Sequence, residues 1–198
     1  MSSAAKQDYS RTAFTEEIIK DALLTLLKKK NYMDITITDI CRQACISRGT
    51  FYSHFKNIRE IIDLLFDDAL KQIGNIPLQT LCHPLDNSNE GLPLCGFLRK
   101  NKRYQPLFFS DQLYIYAVQR TVASLRKGFL SVMKDKTDLD EDLLEDLLYY
   151  QIMGCMSICK RHINVSDNEW NRRKCNVDIF LKQGFGNLNT TKPKINEK

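Results

Sequence analysis

Long apolar runs are missing from this sequence. No stretch approaches the roughly 18 to 20 consecutive apolar residues that cross a bilayer, which argues against a spanning helix and a membrane partner. The opening Met1 to Thr12 is polar, with neither an apolar run nor a cleavage-site pattern, so no secretory leader is expected. Histidine is scarce, three in 198 residues, and none has an obvious partner. A phosphate-binding glycine loop, a His-Glu-x-x-His site and a nucleophile elbow are all lacking; the reading is a non-enzyme with no cofactor and no metal. The seven cysteines (Cys41, Cys45, Cys82, Cys95, Cys155, Cys159 and Cys175) are odd in number and scattered, which predicts free thiols and a soluble protein of a reducing cytoplasm. A strong charge imbalance is lacking too: 29 Lys and Arg against 24 Asp and Glu permit an anionic partner without requiring one.

Glycine and proline are also few, 8 and 5, and several fall between positions 74 and 106: Gly74, Pro77, Pro84, Gly91, Pro93, Gly96 and Pro106. On either side of that zone the apolar residues recur at helical spacing, so the chain reads as all-α, with a small N-terminal head and a larger C-terminal helical bundle. The expected division is a head at 10–60 running on through a linker helix at 57–73, a body at 74–188, and a polar tail at 189–198. In the head, Phe14, Ile18, Ala22 and Leu26 with Ile19, Leu23 and Leu27 predict a first helix from about Thr15 to Lys30, stopped by a left-handed Asn31. Thr36 with Asp39 predicts a capping box opening a second helix, and Ser47 an N-cap opening a third. In the body, helices are predicted from Tyr114 to Met133, from Leu139 to Ile163, and from Ser166 to Gly184, the last with Trp170, Val177, Phe180 and Leu181 inward. Residues Leu147 to Cys159 carry no charge on any face, so something must cover the outer side of that helix.

Two short helices joined by a tight turn, the second opened by a capping Ser, form the geometry that lays a helix in the major groove. Ile37, Ile40, Cys41, Ala44, Ile46 and Phe51 supply a compact interior, leaving a polar outer face. There Thr36, Thr50, Tyr52 and His54 suit phosphate oxygens as donors and Lys56 as a cation. Arg48 suits the O6 and N7 acceptors of a guanine, Gly49 allows close backbone approach, and Tyr52 or Ser53 can meet a neighbouring base edge.

The run from Ile35 to Ile62, ITITDICRQACISRGTFYSHFKNIREII, resembles the N-terminal DNA-binding domain of the tetracycline-repressor (TetR) family, above all in Ser47-Arg48-Gly49-Thr50-Phe51-Tyr52 and His54-Phe55. The resemblance implies a helix-turn-helix transcriptional regulator that binds a palindromic double-stranded DNA operator as a homodimer, a ligand-responsive repressor whose body takes a small-molecule effector. It places base reading on Thr38, Arg48, Gly49, Tyr52 and Ser53, and phosphate contact on Thr36, Thr50, His54 and Lys56. Two departures from the family pattern stand out. Cys45 occupies a turn position where the family usually has Gly, which implies strain of about 1 kcal/mol if the turn is left-handed. Ile58 stands where Lys usually follows Asn57, a loss for which Arg59 is the candidate substitute. Residues 1–60 hold ten Lys and Arg against seven Asp and Glu, a surplus of three; affinity for DNA should therefore fall with salt.

In the body, the charge-free section of the penultimate helix and the final helix are the expected dimer interface. Tyr104, Phe108, Phe109, Tyr114 and Tyr116 with Tyr149, Tyr150, Met153 and Met156 are candidate lining for an apolar effector, although such residues more often form core. Cys155, Cys159 and His162 share one helical face, but apolar packing explains all three. The competing reading is a ligand- or thiol-sensing helical module without DNA binding.

Overall fold

In a computed structural model, the chain is described for residues 3–74, 93–134 and 137–186. The predicted turn residues Pro77, Pro84 and Gly91, the pair Cys82 and His83, and the 189–198 tail lie outside the described residues. Within them every regular element is helical: α1 (Ser3–Leu27), a 3-10 turn (Tyr32–Asp34), α2 (Ile37–Ala44), α3 (Arg48–His54), α4 (Ile58–Gly74), α5 (Pro93–Lys100), α6 (Gln105–Phe109), α7 (Tyr114–Lys134), α8 (Glu141–Arg161) and α9 (Asp167–Gly186). Pro93, Gly96 and Pro106, counted with the breaks between helices, instead lie in α5 and α6, where the two prolines stand in first-turn positions that need no N–H. No helix among the described residues is long and apolar enough to cross a membrane.

Caps set most of the boundaries. Thr36 and Asp39 form a complete capping box, each side chain accepting from the other's backbone N–H at 3.1 and 3.0 Å. Ser47 accepts from the Thr50 N–H at 3.0 Å to open α3, and Asp140 from Leu143 at 2.9 Å to open α8. Ser166 accepts from Glu169 at 3.3 Å to open α9. The side chain of Glu169 pairs with Arg172 and Arg173.

Three expectations about α1 need correction. The helix starts about twelve residues before Thr15, because Ala4, Ala5, Lys6 and Gln7 are good helix formers whose polar pattern gives no stripe to read. Phe14 is 68% exposed and belongs to no core. Asn31 is extended (φ −61°, ψ 140°) and caps the 3-10 turn, so it does not end α1 by a left-handed conformation.

Packing divides the chain into two units, Met1–Ala69 with Asn101–Ala117, and Leu70–Lys100 with Val118–Lys198. The division falls inside α4 and inside α7, and it differs from a single cut near Gly74. In the first unit, α1 packs on α2, α3 and α6. Its core holds Ile19, Leu23, Ile40, Phe51, Phe55, Ile61, Leu65, Phe66, Leu107 and Phe108, all at or near zero exposure. Segment 101–117 is fixed there by rings and charges: Phe66 of α4 meets Phe108 and Tyr116 edge to face, and Tyr116 donates to Asp63. Arg103 pairs with Glu17 at 2.7 Å and Asp21 at 2.9 Å. Lys20, only 9% exposed at its side chain, reaches both Glu17 and Asp68.

In the second unit α5 packs on α8. Arg99 of α5 donates to the carbonyls of His162, Ile163 and Val165, to the Asp167 carboxylate, and lies over the Trp170 ring. Leu144, Leu148, Ile152, Met156 and Cys159 of α8 are fully buried, whereas Leu143, Tyr149, Tyr150, Gly154 and Ser157 are exposed. The charge-free helix is thus covered on one side by its own chain and bare on the other. Phe180, expected inward on α9, is 66% exposed, as is much of Ile179.

Candidate nucleic-acid interface

The α2–turn–α3 unit is closed from inside by Ile40, Cys41, Ala44, Phe51 and Phe55, all buried, with Ile37 and Ile46 half-buried. Phe51 stacks tilted on Phe55 at 6.2 Å between ring centroids. The turn is closed by the Ile46 N–H donating to the Cys41 carbonyl at 3.0 Å. Cys45 between them has φ 55° and ψ 40°, the left-handed region that glycine occupies at least cost. We expect Cys45→Gly to raise the stability of the full chain by about 0.5 to 1 kcal/mol, read as a higher thermal midpoint, since relief of side-chain strain outweighs the added freedom of the unfolded chain. A lower midpoint would mean that the thiol's contact with the Arg42 carbonyl contributes more than the strain removes.

Of the nine residues placed at the interface by sequence, seven are exposed, namely Thr36, Thr38, Arg48, Gly49, Tyr52, Ser53 and Lys56, as is the capping Ser47 beside them, a further candidate contact; Thr50 and His54 are half-buried. They differ in what their polar atoms are doing. Thr36 donates its hydroxyl to Asp39 at 2.8 Å, Ser53 donates to the Thr50 carbonyl at 2.7 Å, and the Ser47 and Thr50 hydroxyls share a bond at 2.9 Å. These four are engaged in holding the two short helices in shape. The Asp39 carboxyl receives the Thr36 backbone N–H, the Thr36 hydroxyl and Lys30, which together hold it at about 2, below its ordinary 3.8. His54 turns Nδ1 towards Glu16 of α1 at 3.7 Å, a partner that sequence spacing gave no sign of.

Arg48, Tyr52, Thr38 and Lys56 present the outward chemistry. Arg48 reaches across one turn of α3 to the Tyr52 hydroxyl at 3.4 Å, its guanidinium 6.0 Å from the ring centroid, so a cation and a phenol stand side by side on the exposed face. Gly49 lies between them in sequence. A Cβ there would meet only the Ser47 hydroxyl at 3.6 Å, an ordinary contact, so the fold itself has no steric need for glycine at this place.

The α4 start differs from expectation at one point. Asn57 caps α4 through the Glu60 N–H at 3.0 Å, and Glu60 accepts from the Lys56 N–H at 2.7 Å. Arg59, the candidate replacement for the cation missing at Ile58, instead lies 3.8 Å over the Tyr116 ring and pairs with Asp63 at 3.2 Å. Its charge serves an exposed tie within the chain between Asp63 and the Tyr116 ring.

The candidate effector residues are not one group. Tyr104 and Phe108 are buried core of the first unit, with Phe109 and Tyr114 half-buried there; Tyr149, exposed, and Met153, half-buried, belong to the second.

Residues 19–65 match the family model described as bacterial regulatory proteins, tetR family. The HTH-type dhaKLM operon transcriptional activator DhaS of Lactococcus lactis subsp. lactis (strain IL1403) is 30% identical over 109 residues, 52% of this chain and 53% of that protein. The uncharacterized HTH-type transcriptional regulator YxbF of Bacillus subtilis (strain 168) is 36% identical over 69 residues, 34% of this chain and 18% of that one. The chain thus spans about half the length of the first of these curated relatives and less than a fifth of the second. A solved structure of the dihydroxyacetone kinase operon activator DhaS superposes with a TM-score of 0.54, covering 86% of this chain and 97% of that one at 21% identity, a likeness of fold.

Proposed function

We propose, from the match of residues 19–65 to the tetR-family model, that the protein is a sequence-specific, DNA-binding transcriptional regulator acting as a homodimer on a palindromic operator. The observation that carries the reading is the outward α3 face: Arg48 and Tyr52 exposed around a glycine that the fold does not require. With no side chain at Gly49, a partner's surface can come up to the backbone of the first turn of α3 between the two exposed side chains. In this reading Arg48 forks onto a guanine edge, Tyr52 and Thr38 meet neighbouring bases or sugar, and Lys56 neutralises a phosphate. Thr36, Ser47, Thr50 and Ser53 act by fixing the helices and by turning a hydroxyl to phosphate once DNA is present. His54, its Nδ1 facing Glu16, would have Nε2 left for a phosphate.

A palindrome needs two heads roughly 34 to 36 Å apart or a multiple of that, so a second copy is part of the proposal. Leu143, Tyr149 and Tyr150 of α8 with Ile179 and Phe180 of α9 supply the exposed apolar surface for it. An apolar small-molecule effector belongs to the same reading, with Tyr149 and Met153 as its candidate contacts in the second unit. Repression relieved by that effector is the first reading of the regulatory sign. The named function of DhaS as an activator favours activation as the second, and transcription in vitro from the bound promoter, with and without the protein, separates them.

Gel shift of the full chain against the DNA upstream of its own gene tests the proposal. A salt-sensitive specific band is expected. Arg48→Ala should lower specific affinity about 5- to 150-fold, equivalent to about 1 to 3 kcal/mol, while sparing non-specific binding. Lys56→Ala should weaken all sequences alike and reduce the salt slope by about 1. Gly49→Ala should abolish the specific band while leaving the fold intact by far-UV circular dichroism. No specific band at any salt would reject the reading in favour of a sensing module without DNA binding.

A further inference from the structure

The second unit holds a cluster of thiols that DNA binding does not use. Cys95 on α5 donates to the Cys155 carbonyl on α8 at 3.3 Å, and Cys159, one turn further along α8, donates back to the Cys95 carbonyl at 3.9 Å. Each thiol thus lies against the other helix's backbone, Cys95 on the Cys155 turn of α8 and Cys159 on the Cys95 turn of α5. Apolar packing accounts for any one of these positions. It does not account for three thiols, drawn from two helices, gathered in one contact.

Metal binding is the poorer use of the cluster, since among the described residues no group of three or more His, Cys, Asp or Glu is placed to hold an ion. Disulfide chemistry needs only two sulfurs. A Cys155–Cys159 bond would join neighbouring turns of one helix and restrain nothing beyond it. A bond from Cys95 to Cys159 would cross between helices 64 residues apart in sequence. We propose that Cys95 and Cys159 form a peroxide-oxidisable pair whose disulfide pins α5 to α8.

The surroundings assign the two roles. The hydrogen bond from Cys95 and, against burial, the nearby Arg99 charge pull the Cys159 thiol below its ordinary range. Hydrogen bonding to Cys155 and Cys159, together with burial, pushes Cys95 well above it. With the Arg99 guanidinium holding the carbonyl three residues further on, Cys159 attacks as the thiolate and Cys95 resolves; the disulfide formed is the same if the two exchange roles. The Cys159 sulfur attacks hydrogen peroxide; the O–O bond breaks, an S–O bond forms, and hydroxide leaves to take up the proton released by Cys159, giving water and a sulfenic acid. The Cys95 sulfur then attacks the Cys159 sulfur; S–S forms as S–O breaks, and the Cys95 proton leaves with the hydroxide as the second water. Two thiols lose two electrons and one peroxide becomes two waters. With Cys95 5% exposed and Cys159 fully covered, the reaction waits on local opening and is slower than oxidation of the exposed Cys45 and Cys175.

The test is made on the full chain with Cys45, Cys82 and Cys175 changed to Ser, treated with hydrogen peroxide, blocked with N-ethylmaleimide, digested without reduction and read by mass spectrometry. A dithiothreitol-sensitive Cys95–Cys159 link is expected, kept in Cys155→Ala and lost in Cys159→Ala; Cys95→Ala supplies the same control should Cys159→Ala fail to fold. The thermal midpoint of the oxidised chain should rise by on the order of 10 °C and return on reduction, the shift for closing a loop of this length in a chain of this size. A link from Cys155 alone, or no link and an unmoved midpoint, would overturn the proposal. Neither readout involves DNA, so this proposal and the regulatory one fail separately.

Discussion

Replacing Phe66 by alanine is expected to lower the stability of the first unit by about 3 to 5 kcal/mol, the largest single loss we foresee in this chain. Phe66 is fully buried on α4, with its ring 5.1 Å from Phe108 at 68° and 5.4 Å from Tyr116 at 81°. Alanine removes the transfer energy of the ring, opens a cavity, and breaks two edge-to-face pairs worth about 0.5 to 1.5 kcal/mol each beyond burial. The charged ties nearby do not offset this. Arg103 with Glu17 and Asp21 is partly solvated, and such pairs contribute about 0 to 1 kcal/mol. Urea unfolding followed by far-UV circular dichroism, with hydrogen exchange at α4 and α6 amides, measures the loss. Phe66→Leu should recover more than half of it. A loss below about 1.5 kcal/mol for alanine would mean that α6 collapses into the space and that segment 101–117 is not held by this ring cluster.

Arg99→Ala is expected to cost about 3 kcal/mol in the second unit. The side chain is 11% exposed and its guanidinium holds the His162 carbonyl at 3.0 Å, Ile163 at 3.3 Å and Val165 at 3.0 Å, in the turn just past the end of α8, where the His162 carbonyl also accepts the Val165 N–H at 3.3 Å. Removing it strips those carbonyls of charged donors, each such bond being worth about 1.5 to 3 kcal/mol but shared here among acceptors with some access to water. The Asp167 pair adds little, because that carboxylate is almost fully solvated. Trp170, the one tryptophan, lies 4.9 Å from the guanidinium, so its fluorescence reports the change directly. Arg99→Lys should recover less than half of the loss, since one ammonium has no planar fork to span three carbonyls. Equal stability of Arg99→Ala and the parent would show that the α8–α9 turn closes without it.

Elements governed by neighbours three or four residues away were legible. The Thr36–Asp39 box, the Ser47 and Ser166 caps, the buried stripe Val118, Val122, Leu125 and Phe129, and the exposed Arg48 and Tyr52 all follow from local spacing. The early start of α1 was not legible, because a polar helix carries no period to read. Nor were the fates of Phe14 and Phe180, whose positions fit an apolar stripe yet lie exposed. Arg59 was misjudged for the same reason: its partner Tyr116 is far along the chain, and a cation beside a DNA-binding helix looks alike in sequence whether it faces outward or stacks on a ring.

The order of the helices on either side of 74–106, the turn at Cys45 and the outer face of α3 follow from the amino-acid sequence, through hydrogen bonds and side-chain periods that span a turn or two; α5 and α6 do not. Folding in three dimensions decided that 101–117 joins the first unit, that Arg99 closes the end of α8, and that Cys95 meets Cys159, contacts between residues 42 to 86 positions apart. Local periodicity gives each helix a face to bury. It does not say which other face will cover it, because that choice depends on shape and charge supplied by distant segments once the chain has closed on itself.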